Sequence, residues 1–206
     1  MSAPTPLSMD AISADPELAE LFAARLKRTG HISNSLRVMA RVPPIVEALD
    51  TLVTRTFFEG RIETPLKMLM FMLFSGRWGC QYCQAHALTH VTNAGVSDIE
   101  IEHVWDFETS ELFDERRRAA LSLARDSAMA GQIEPEHYVR LRRHFDDAEI
   151  VEMIAVLGVS AFLNTWNSTL GTELEPIPLE MAEERLSSRG WTGEGHRPSV
   201  PRARPE

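Results

Sequence analysis

Gly79-Cys80-Gln81-Tyr82-Cys83-Gln84-Ala85-His86-Ala87-Leu88-Thr89-His90-Val91-Thr92-Asn93-Ala94-Gly95 is the stretch on which the fold turns. Cys80 through Asn93 reads as one helix, preceded by Gly79 and closed by Gly95, a residue suited to a helix C-terminus. Upstream, Thr64-Pro65 is a helix start ahead of the apolar run Leu66 to Phe74, and Asp15-Pro16-Glu17 is another, closed by Gly30. Downstream, Ser97-x-x-Glu100 and Asp146-x-x-Glu149 have the form of capping boxes. The 3.6-residue period is clear in Arg118 to Ala130, ended by Gly131. Ile150 to Leu163 is apolar nearly all round, which predicts a buried helix. No alternating strand pattern, hairpin dipeptide or internal repeat appears. The class is all-α, with about seven helices.

The spacing divides the chain into a loose N-terminal arm (1–14), one helical domain (15–182) and an extended C-terminal tail (183–206) rich in glycine and proline. A length of 206 residues suits one domain, and 44% hydrophobic residues suit a packed core. A formal charge of −9 excludes a general nucleic-acid binder and disfavours an anionic membrane surface. The runs Met68–Phe74 and Met153–Leu163 fall short of the ~20 residues that span a bilayer. No secretory signal is visible, so a cytoplasmic location is expected.

The only two cysteines are Cys80 and Cys83, and in a chain without an export signal that spacing points to redox chemistry or a metal. At about 100° per residue, Cys80, Cys83, His86 and His90 fall near 0°, 300°, 240° and 280°, within one arc. Two sulfurs three residues apart can reach disulfide distance. Cys80 lies nearest the helix N-terminus, where the macrodipole favours a thiolate. His86, one turn beyond Cys83, is the expected proton carrier, with His90 behind it holding His86 or a water.

A four-ligand zinc site on these residues is excluded, because positions 80 and 90 are about 15 Å apart along a helix. A metal pair at His86 and His90 lacks the His-Glu-x-x-His glutamate and ranks low. Burial as inert hydrophobes is the bland alternative for the cysteines. No cofactor and no metal are expected. Met68, Met70 and Met72 read as core, and Asn164, Trp166 and Asn167 as supporting or interface residues.

Cys80-Gln81-Tyr82-Cys83-Gln84-Ala85-His86 resembles the alkylhydroperoxidase D-like branch of the carboxymuconolactone decarboxylase family. Val104-Trp105-Asp106-Phe107-Glu108-Thr109-Ser110 with Leu112-Phe113 is similar to a segment of that branch. So is Phe162-Leu163-Asn164-Thr165-Trp166-Asn167-Ser168-Thr169-Leu170 leading into Glu173-Leu174-Glu175. The likeness covers about residues 35 to 178. It implies an all-helical fold assembling as homodimers, trimers or hexamers. It also implies hydroperoxide reduction, in which Cys83 attacks, Cys80 resolves a disulfide, and an external dithiol restores the pair. Helix position favours Cys80 as the better thiolate, so the order of attack stays open. The chain departs from the family at Ala87, where the usual histidine falls, and at Met68, where the relay glutamate falls. A methionine relays no proton; Glu63 and Glu108 are the candidate replacements.

The expectation is therefore a thiol-dependent oxidoreductase acting on (alkyl) hydroperoxides through Cys80, Cys83 and His86. The alternative is a cofactor-free decarboxylase or hydrolase of a small carboxylated lactone, with His86 as acid/base. Self-association is expected through exposed aromatics such as Trp105 and Trp191.

Overall fold

The computed structural model describes residues 3–129 and 133–198; Ala130, Gly131 and the final stretch 199–206 lie outside the described residues. Among the described residues there are eleven α-helices and no strand. Seven of these are long: α2 (Pro16–Thr29), α4 (Pro43–Val53), α5 (Thr64–Trp78), α6 (Gln81–Asn93), α8 (Glu115–Ser127), α10 (Asp147–Leu170) and α11 (Pro176–Leu186). The four beyond the expected count are short: α1 (Met9–Ser13), α3 (Asn34–Met39), α7 (Asp98–His103) and α9 (Pro135–Leu141). Helices of two turns or fewer leave too little periodicity to read from sequence.

The punctuation that predicts helix ends has its geometry. Asp15 caps α2 through Glu17 and Leu18 amides, and Gly30 ends it at φ +76°. Ser97 and Asp146 both form reciprocal capping boxes with Glu100 and Glu149. Gly79 closes α5 at φ +91°, a left-handed conformation that lets the chain turn at once into α6.

Helix α5 is the centre of the molecule. Every residue from Leu66 to Ser75 is buried, and α6, α8 and α10 pack around it. Burial of the whole helix includes Lys67, which is fully buried. Its ammonium pairs with Glu152 of α10 and donates to the Glu59 carbonyl. Glu152 also accepts the Arg61 and Ile62 amides at 2.8 and 3.2 Å. Against the upward push of burial, Lys67 and these amides hold the Glu152 carboxyl below its ordinary range. The π-helical turn Thr54–Phe58 places Phe57 and Phe58 beside α5.

Three expectations are corrected. The N-terminal arm is not loose along its described length. Ser8 caps α1, Ile12 is buried, and Leu7 exchanges hydrogen bonds with Arg37 through its amide and carbonyl. The tail is not extended along its described length, to residue 198: α11 runs to Leu186, and Trp191 and His196 are buried. A glycine- and proline-rich composition reads as an extended tail, but Trp191 and His196 dock the described part of it. Helix α10 is buried on one side only, since Val151, Ile154 and Phe162 are exposed. It is the one described helix long and apolar enough to cross a membrane, but one side of it forms core with α5, α6 and α8.

Candidate active site

Cys80 is the N-cap of α6 rather than its first helical residue. Its Sγ accepts the Cys83 amide at 3.4 Å, taking the place of a serine or aspartate oxygen at a helix start. The Cys83 thiol, Ser168 and His196 also hydrogen-bond to it. The Cys83 hydrogen bond outweighs burial, and the thiol falls to a pKa of about 4. Cys83 moves the other way: burial, then the negative sulfur beside it, push its thiol well up. The pair therefore holds one negative charge, on Cys80, with Cys83 as S–H donor. Both cysteines are free and buried.

The C-terminal segment creates half of this environment. Trp191 Nε1–H donates to the Gln81 carbonyl at 2.9 Å, and Gln81 Oε1 accepts the Thr192 and Gly193 amides. That fixes the loop carrying His196, whose Nδ1 donates to the Thr172 carbonyl at 2.8 Å. Burial lowers the affinity of His196 for a proton. The hydrogen bond to Cys80 reverses this, and its pKa rises.

Cys83 faces a different neighbourhood. It lines a cavity of about 70 Å³ with Ser35, Phe57, Phe58, Met68, Phe71, Tyr82, His86, His90 and Asn167. Asn167 Nδ2–H points at Cys83 Sγ, 3.6 Å away. Two buried polar atoms of the lining residues, Ser35 Oγ and Asn167 Oδ1, have no hydrogen-bond partner among the described residues. Such atoms are anchors for a polar group on a bound molecule.

His86, one turn on, lies 2.7 Å from Glu175 Oε2 through Nε2. Glu175 Oε1 accepts the Tyr82 hydroxyl at 3.0 Å and the Asn34 amide. Burial opposes the charge on Glu175, but His86 and these donors lower its pKa to about 2. The Tyr82 ring lies tilted against His86 at 4.4 Å between centroids, and Tyr82 stays a neutral phenol through burial and the adjacent carboxylate.

The structure thus brings Cys80, Cys83, His86 and His90 together and leaves out the two carboxylates proposed as relay replacements. Glu63 pairs with Arg116 at 2.5 Å, and Glu108 pairs with Arg125 at 3.0 Å, both away from the cavity lining. The carboxylate of the site is Glu175, ninety-two positions after Cys83 in chain order and carried by the turn before α11. Its sequence signal was limited to the Glu173-Leu174-Glu175 resemblance. His196 and His31 had none, since both come from outside the resembling segment.

No protein-family model and no curated protein matches the chain. Solved structures do. The debrominase Bmp8, free, is 27% identical with a TM-score of 0.80 over 88% of this chain and 96% of its own. A cysteine-to-alanine variant of Bmp8 in complex with 2,3,4-tribromopyrrole is 26% identical, with a TM-score of 0.81 over 89% and 97%. An alkylhydroperoxidase AhpD core protein from Ralstonia eutropha JMP134, described as peroxidase-related and uncharacterised, is 14% identical with a TM-score of 0.71 over 86% and 96%. The fold is alkylhydroperoxidase D-like. Within that fold the cysteine pair sits at the start of a buried helix, beside an apolar cavity lined by Cys83 and by His86, which Glu175 holds from behind the wall.

Proposed function

We propose that the protein is a cytoplasmic thiol-disulfide oxidoreductase that passes two electrons from Cys80 and Cys83 to a small organic molecule held in the cavity. The observation that carries this reading is the split character of the pair: a thiolate at Cys80 and a thiol at Cys83 that faces the cavity. The cavity-facing sulfur is the one placed to attack. As Cys83 attacks, its proton passes to the neighbouring Cys80 sulfur. Cys80 then gives that proton to the reduced product and closes the disulfide, while the His196 N–H holds its sulfur. An external dithiol restores the couple by exchange.

With a hydroperoxide, Cys83 Sγ bonds to the distal oxygen and the O–O bond breaks. The departing alkoxide takes a proton from His86, which Glu175 orients. Cys80 then displaces hydroxide from the sulfenic acid, and a second proton makes water. One thiol, one thiolate and one proton convert the hydroperoxide into an alcohol, water and a disulfide.

A second substrate class is favoured by the likeness to Bmp8 and by the aromatic cavity wall. Reductive dehalogenation of a small heteroaromatic ring balances equally well. Carbon takes the thiol proton, the halogen leaves as halide, and the two sulfurs join. Asn167 Oδ1 or Ser35 Oγ would then accept a ring N–H.

Both classes are tested on the reduced protein with stoichiometric cumene hydroperoxide or a bromopyrrole. The expected result is loss of two hydrogens by mass, mapped to a Cys80–Cys83 bridge. Alcohol product assigns the first class, and bromide release the second. Thiols that stay reduced towards both would overturn the reading.

A further inference from the structure

His86 and His90, one turn apart on α6, rank low as a metal pair by sequence because the His-Glu-x-x-His glutamate is missing. The structure adds a third imidazole to them. The ring of His31, from the segment after α2, lies 5.5 Å from that of His86 and 5.6 Å from that of His90, and the latter two rings are 6.2 Å apart. One nitrogen from each of the three falls within 4.8 Å of the others. We propose that His31, His86 and His90 form a binding site for a divalent first-row metal ion.

Four further features fit that chemistry. Imidazole binds metal when neutral, and burial lowers the pKa of both His31 and His90. The nitrogens are also sorted. His31 Nδ1 hydrogen-bonds the Thr29 carbonyl, which leaves Nε2, and His86 Nε2 hydrogen-bonds Glu175, which leaves Nδ1. The His86–Glu175 pair reproduces the carboxylate–histidine arrangement that orients metal-bound imidazoles and supplies a negative charge. The His90 ring touches His31 and His86 and makes no side-chain hydrogen bond among the described residues. Against these features, Arg25 on the cavity wall carries its charge towards His31 and His90, and Asp50, shared with Arg28 at 2.8 and 2.7 Å, offsets it only in part. A tetrahedral ion with bonds of about 2.0–2.1 Å needs nitrogens about 3.4 Å apart, a closure of roughly 1.5 Å that side-chain torsions supply. Three ligands leave a fourth position for water or substrate.

The site shares His86 and the cavity with the proposed turnover, so it is tested by binding alone, which needs no turnover. The full-length reduced protein is titrated with Zn2+ by calorimetry and with Co2+ by visible spectroscopy. The expected result is one ion per chain, with cobalt ligand-field bands and no thiolate-to-cobalt charge transfer. Affinity should persist in the Cys80→Ser/Cys83→Ser double variant. It should fall by roughly a hundredfold or more in His31→Ala or His90→Ala, and by roughly 10–100-fold in Glu175→Gln. Thermal unfolding verifies that each variant is folded. The proposal is overturned if no stoichiometric ion binds. It is overturned equally if charge transfer appears, or if binding is lost with the cysteines and survives in His31→Ala.

Discussion

At the scale of the residue, the cysteines divide the labour by position. Cys80 has the helix N-terminus, the Cys83 thiol and His196, whereas Cys83 has burial and a negative neighbour. A titration of thiolate ultraviolet absorbance should therefore show one thiol already ionised across the neutral range. It should become protonated only as pH falls through about 4, against the roughly 8.5 of a free thiol. Cys80→Ser should remove that acid step, and His196→Ala should raise it. A first thiol titrating near the free value would refute the assignment. Glu175 carries a second pH signature. Its folded pKa of about 2 lies below the ordinary carboxylate value, so its stabilisation is present above that value and is lost as pH falls towards 2. A depression of this size corresponds to about 3 kcal/mol. In urea unfolding, Glu175→Gln should lose most of that at pH 7, and its deficit should shrink as the pH is lowered below ordinary carboxylate values. Cys80, Cys83 and His86 were legible because they share a single helix. Glu175, His196 and His31 were not, because only tertiary folding brings the turn before α11, the C-terminal segment and the segment after α2 onto that helix.

At the scale of the element, helix starts were easier to read than helix faces. A capping box is a local hydrogen-bond pattern written in four residues, and both proposed boxes form. Which side of a helix meets another depends on distant partners. Helix α5 shows the consequence: its central position buries all ten residues from Leu66 to Ser75, Lys67 among them, and Glu152 of α10 is the compensating charge. Glu152→Ala should cost about 3–5 kcal/mol, because it strands a buried ammonium. Replacing both partners, as Lys67→Met with Glu152→Leu, should recover much of the loss. Denaturant unfolding of the three variants measures this; a loss below about 1 kcal/mol in Glu152→Ala would show that the ammonium is satisfied by the Glu59 carbonyl alone.

At the scale of the molecule, the aromatics that the sequence offers for self-association are not bare. Trp191 is buried against α6, and Trp105 is half-buried with its ring over Gly76, where an added Cβ would lie 2.3 Å from it. The apolar surface lies instead along α10. Val151, Ile154, Gly158 and Phe162 follow helical spacing on its outer side, and Val151 is 65% exposed. Helix α10 is apolar nearly all round, yet only one side meets α5, α6 and α8. A contiguous bare stripe on a central helix is the kind of surface that symmetric association covers. Light scattering at micromolar concentration should therefore give a multiple of the chain mass. Ile154→Glu with Phe162→Glu should shift it towards the monomer, because two carboxylates on each copy would have to lose water at the contact. The substitutions lie on the exposed side, so helical content should be unchanged. A wild-type chain already monomeric under those conditions would mean that the α10 stripe is not an interface between copies of this chain.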